Sequence, residues 1–83
     1  MSEVRRFSPR VRRLVILDAA VALANEKGIL EVTFDNVADR CQVDTSKHTV
    51  RKYFGTVQAL CSEIIADPNC KAEVKEHGQK LGY

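Results

Sequence analysis

The chain has 83 residues, a net charge of +2, 45% apolar residues and 29% charged ones. That length allows one small domain, and a domain of this size buries only about 60% of the surface its unfolded form exposes, which excludes a large enclosed substrate cavity. The composition excludes a disordered chain, and no apolar run approaches the roughly 20 residues that span a bilayer. No membrane association is expected. With no secretory signal recognisable behind the early arginines, the expected location is the cytoplasm.

Residues 1–7 are expected to form a loose basic arm. Ser8-Pro9 opens the first helix, serine as N-cap and proline at the first helical position, and no breaker follows until Gly28. Val11, Leu14, Val15, Ile16, Ala19, Ala20 and Leu23 supply its apolar stripe at helical spacing. Thr33 caps a second helix whose inward face is Phe34, Val37, Ala38 and Cys41. Gln42-Val43-Asp44-Thr45 interrupts the pattern, and Asp44, Thr45 or Ser46 caps a third helix running to about Phe54, with Val50 and Phe54 as its buried pair. Gly55-Thr56 is a stop followed by a new cap, and a fourth helix presents Val57, Leu60, Cys61, Ile64 and Ile65. Asp67-Pro68 ends it, because the residue before proline is pushed out of helical geometry. Residues 67–83 read as a short polar helix or tail, weakened by Gly78, with Val74 and Leu81 as sparse apolar positions. The expected fold is all-α: three to four helices around one small core, with the domain proper at 8–66.

Charge is unevenly placed. Residues 1–17 carry a net of +4, residues 18–45 a net of −4, and residues 46–56 a net of +3 with no acid at all. A basic arm and a basic third helix separated by an acidic stretch suggest a polarised molecule with one face suited to a polyanion. Two short helices with a brief joint, the second basic and exposed, outline a helix-turn-helix. A helix fits the major groove, where lysine and arginine reach guanine edges and phosphate oxygens.

Other chemistry finds little support. Cys41, Cys61 and Cys70 form no C-x-x-C pair and, with His77, no zinc spacing, so free thiols and no metal are expected. No nucleophile–base pairing and no glycine-rich phosphate loop is recognisable, so neither an enzyme nor a cofactor is expected.

Ile16-Leu17-Asp18-Ala19-Ala20 followed by Leu23, Glu26 and Gly28 resembles the first helix of the tetracycline-repressor (TetR) family of transcription regulators. Thr33-Phe34-Asp35-Asn36-Val37-Ala38 resembles the start of that family's second helix, and Ser46 to Phe54 its recognition helix with the aromatic close. Leu60 continues the match into the fourth helix, so the resemblance spans about Arg10 to Ile65. It implies a homeodomain-like helix-turn-helix that binds double-stranded DNA. The chain departs from the pattern at Gln42, where the family has glycine, at Asp44 and Thr45, which lengthen the turn, and at Arg51, where the family has tyrosine. Only eighteen residues follow Ile65, so the family's C-terminal ligand-binding and dimerisation domain is expected to be missing, and with it any small-molecule inducer.

The residues expected at DNA are Arg5, Arg6 and Arg10 from the arm and first turn, Thr33 ahead of the second helix, and Thr45, Ser46, Lys47, His48, Thr49, Arg51, Lys52 and Tyr53 in and before the third. The arm would track phosphates or enter a minor groove. The expected function is a small sequence-specific transcriptional regulator that represses by occupying its site, as a homodimer on DNA or with a protein partner. The alternatives are a helical protein-interaction module, with Leu60, Cys61, Ile64 and Ile65 partly exposed, or a DNA-binding accessory factor in replication, recombination or packaging on a mobile element.

Overall fold

A computed structural model describes residues 8–41 and 45–83. Its elements are α1 (Pro9–Lys27), a 3-10 turn (Ile29–Glu31), α2 (Phe34–Arg40), α3 (Lys47–Phe54), α4 (Val57–Ala66) and α5 (Ala72–Lys80), with no strand among the described residues.

The first four helices are opened by hydroxyl side chains that satisfy a backbone N–H otherwise left without a partner. Ser8 Oγ accepts from the Val11 N–H at 3.2 Å, and Thr33 Oγ1 accepts from the Asn36 N–H at 3.0 Å. Ser46 Oγ accepts from the Thr49 N–H at 3.3 Å, and Thr56 Oγ1 from the Ala59 N–H at 3.0 Å. Of the three residues expected as caps of the third helix, Ser46 is the one that caps it. Two helix ends need a left-handed residue, and glycine supplies it: Gly28 at φ 98° after α1 and Gly55 at φ 86° after α3.

The core is one cluster built by all five helices. Ile16, Ala20, Val21, Leu23 and Ala24 of α1 meet Val37 of α2, Val50 and Phe54 of α3, and Leu60, Cys61, Ile64 and Ile65 of α4. The 3-10 turn adds Ile29, with Val32 just after it. Phe34, Ala38 and Cys41, expected on the inward face of α2, are half-buried and pack against this cluster.

The stretch expected as a short polar helix or tail forms a fifth helix, α5, seated on the core through Val74 and Gly78. Gly78 is what lets α5 approach α4: a Cβ there would lie 2.5 Å from Ile65 Cγ2. The glycine that lowers helix propensity is therefore the one that permits the packing. α5 has no capping side chain of its own. Instead Asn25 of α1 donates to the Asn69 carbonyl at 3.0 Å and accepts from the Lys71 N–H at 2.9 Å, fixing the turn that starts α5. Leu81, read as one of the tail's apolar positions, is exposed. One expectation is corrected, the width of the α1 stripe: Ile16, Ala20 and Leu23 are buried as expected, whereas Val11 and Leu14 are exposed on the opposite face.

Candidate nucleic-acid interface

α3 has two sides with opposite jobs. Val50 and Phe54, four residues apart, are buried, and Tyr53 packs half-buried against the core. Val50 and Phe54 anchor the helix by about 2 kcal/mol each at the usual value of a buried apolar side chain. The 3.6-residue period then leaves Lys47, His48, Arg51 and Lys52 exposed. α3 contains no acid, so its outer face is cationic along its whole length.

The two ends of α3 are held differently. At its start, Lys47 Nζ lies 4.0 Å from Asp35 Oδ2 in the first turn of α2, which brings the heads of α2 and α3 side by side. Both side chains are well exposed, so this pair holds the two helices together only weakly. At the end of α3, Arg13 of α1 lies over the Phe54 ring, 4.5 Å from its centroid, and pairs with Glu63 of α4. One arginine thus ties α1, α3 and α4 together. A basic residue of the first block is a structural tie here, its guanidinium already engaged.

α2 is held to α1 by a second tie. Arg40 Nη1 donates to Glu26 Oε1 at 2.9 Å, and Arg40 Nη2 pairs with Glu26 Oε2. That hydrogen-bonded guanidinium holds the Glu26 carboxyl below its ordinary range and raises the arginine in turn. Because Glu26 and Arg40 sit on different helices, the pair fixes the platform against which α3 packs.

The expected contact residues are distributed as follows. Arg10 is exposed in the first turn of α1, and Thr33 is exposed at the head of α2 with its hydroxyl engaged in capping. Ser46 is exposed and capping, and Thr49 is half-buried with its hydroxyl 3.4 Å from Ser46 Oγ. Thr45 Oγ1 is buried, with no hydrogen-bond partner among the described residues. Arg5 and Arg6, and the lengthened turn at Gln42, Val43 and Asp44, lie outside the described residues. Arg13, Glu63 and Asn25 are positioning residues that periodicity does not reveal. Each acts on a partner far away in sequence, and local spacing carries no such signal.

The stripe on which a protein-interaction reading depends is closed. Leu60, Cys61, Ile64 and Ile65 are all buried, and burial raises the Cys61 thiol above its ordinary range while its hydrogen bond with Tyr83 pulls the other way. Cys70 is likewise buried and raised, first by desolvation. Among the described residues, no cluster of three or more histidine, cysteine or carboxylate side chains is placed to hold a metal ion. None of the described helices is long and apolar enough to cross a membrane.

Residues 16–64, more than half of the chain, match the family model for bacterial regulatory proteins of the tetR family. The matched span starts inside α1, contains α2 and α3, and ends within α4. No curated protein and no solved structure gives a significant match.

Proposed function

Because the chain belongs to the tetR family of bacterial regulatory proteins, whose N-terminal helix-turn-helix is a DNA-binding domain, we propose that it recognises a specific double-stranded DNA site and regulates transcription by occupying it. In this reading α3 enters the major groove. The observation that carries it is the division of α3 into a buried apolar face and an acid-free basic face. The first fixes the helix to the bundle, and the second is left for a polyanion.

Arg51 and His48 project one turn apart from the exposed face and are the side chains we assign to base edges. Arginine presents two parallel donors to guanine, which a tyrosine at that position does not offer. Lys47 and Lys52 flank them as phosphate contacts, and Arg10, with Arg5 and Arg6 ahead of it, extends the cationic surface along the backbone. Thr33, Ser46 and Thr49 serve chiefly to fix the heads of α2 and α3, and Tyr53 to seat α3 on the core.

The test is a polarisation titration of the protein against duplexes recovered by selection from a random pool, with the random pool as control. Specific regulation requires selected sites to bind at least about 1,000-fold more tightly than random DNA. Equal affinity for both pools would reject sequence-specific occupancy and leave only a general DNA binder. No binding to either would reject the DNA reading itself.

A further inference from the structure

The exposed side of α3 is chemically one-sided. Lys47–Phe54 contains no carboxylate and no amide side chain, and its exposed members, Lys47, His48, Arg51 and Lys52, all carry N–H donors. Oxygens beside this face are already engaged. Ser46 Oγ accepts from the Thr49 N–H, the Thr49 hydroxyl lies 3.4 Å from Ser46 Oγ, and Asp35 of α2 stands 4.0 Å from Lys47 Nζ. His48 holds an acceptor nitrogen only in its neutral form, and it keeps at least one N–H in either protonation state.

The arginines of the bundle divide in the same way. Arg13 pairs with Glu63 and lies over the Phe54 ring, and Arg40 pairs with Glu26. The Arg51 guanidinium has no such partner among the described residues, and it stands exposed in the last turn of α3. Its planar pair of parallel donors is left for a ligand. The bases differ in what they offer such a pair from the major groove. Guanine presents two acceptors, O6 and N7, adenine an acceptor beside a donor, thymine an acceptor beside a methyl group, and cytosine a donor. Guanine alone satisfies both N–H groups, and every other base leaves at least one of them desolvated without an acceptor.

We infer that Arg51 makes this face guanine-selective: the core of its DNA site is a purine step on one strand, with guanine opposite Arg51 and guanine or adenine opposite His48. The inference rests on the placement of α3 in the major groove and adds which bases are read there. His48 and Arg51 are three residues apart, about 4.5 Å along the helix, close to the roughly 3.4 Å between successive bases of a strand. A histidine N–H reaches the N7 that both purines carry, so the position opposite His48 accepts either purine. The position opposite Arg51 accepts only guanine. Lys47 and Lys52 meet phosphates to either side, where a compact ammonium charge holds the helix in place without selecting a base.

Enrichment of duplexes from a random pool, followed by polarisation titrations with modified bases, tests the inference. The expected site holds an invariant guanine next to a purine on the same strand. The invariant guanines are replaced one at a time by 7-deazaguanine, which exchanges N7 for C–H and keeps Watson–Crick pairing. At one of them binding falls at least about fivefold. Inosine at that position keeps O6 and N7 and lacks only the minor-groove amino group, so affinity stays within about twofold. Arg51→Ala, with an unchanged circular dichroism spectrum, binds the original and 7-deazaguanine duplexes equally. Arg51→Lys keeps the salt slope and loses most of the discrimination. A selected site without an invariant guanine, or 7-deazaguanine duplexes all bound as tightly as the original, overturns the inference while leaving DNA binding in place. A 7-deazaguanine penalty that survives intact in folded Arg51→Ala overturns the assignment to Arg51. If no duplex is enriched over the random pool, the DNA-site reading fails and the inference falls with it.

Discussion

Gly78→Ala sets two physical effects against each other at one site. In an isolated helix the substitution is favourable by about 1 kcal/mol, because alanine loses less backbone freedom than glycine. In α5 the new Cβ would stand 2.5 Å from Ile65 Cγ2, about 1 Å inside ordinary contact. Ile65 is buried between α4 and α5 and cannot turn away freely. Overpacking of this kind costs about 1–3 kcal/mol, so the net expectation is a loss of about 1 kcal/mol. For a domain of this size that lowers the melting temperature by about 4–8 °C. The partner variant decides the cause. Ile65→Ala removes the offending methyl, and in that background Gly78→Ala should stabilise, giving a sign change and a coupling of about 2 kcal/mol in a double-mutant cycle. Ile65→Val keeps Cγ2 and should give no rescue. Urea denaturation followed by circular dichroism, in added sulfate to keep the weakest variant folded, measures all six proteins. Gly78→Ala stabilising the original chain, or acting equally in all three backgrounds, would refute the close approach of α5 to α4.

Three further outcomes follow from the ties around α3. Ser46→Ala removes the hydroxyl that accepts from the Thr49 N–H and should lower stability by about 1 kcal/mol in the same denaturation assay. Arg13→Ala should also destabilise by about 1 kcal/mol, through the lost Phe54 contact and Glu63 pair, while leaving the salt dependence of DNA binding unchanged. Glu26→Gln tests the α1–α2 tie through pH. The Glu26 pKa is depressed in the folded state, so its contribution is present above the ordinary carboxylate range and fades as pH falls through the depressed value. The difference in stability between Glu26→Gln and the original chain should therefore be constant near neutrality and vanish in acid. A difference that grows in acid would contradict the pairing.

Much of the fold is legible in the sequence because its boundaries are set by local chemistry. Ser8, Thr33, Ser46 and Thr56 each cap the N–H three residues on, and Gly28 and Gly55 take the backbone conformations that close α1 and α3. Val50 and Phe54 follow from spacing alone. The misreadings have one cause in common: helical period shows which residues share a face but not which face meets the core. Val11 and Leu14 fall at positions as regular as those of Ile16 and Ala20, and the bundle uses only the latter side. Gly78 reads as a helix breaker by propensity, and its value as a point of contact becomes visible only when Ile65 is beside it. Arg13, Asn25 and Glu63 escape sequence reading for the same reason, because their partners are 50, 44 and 50 residues away. The basic face of α3 needs no tertiary information, since two buried positions and the helical period already orient Lys47, His48, Arg51 and Lys52 outward.

In the proposed function this outward face is the surface that meets DNA. The most direct measurement is the slope of log affinity against log salt for a selected duplex, compared between the original chain and Arg51→Ala/Lys52→Ala. Each lost phosphate contact reduces the slope by about 1, and a lost guanine contact costs about 1–3 kcal/mol. The double variant should therefore bind at least about tenfold more weakly, with a slope flatter by about 1 and an unchanged denaturation midpoint. Unchanged affinity and slope in a folded double variant would contradict the placement of α3 in the major groove.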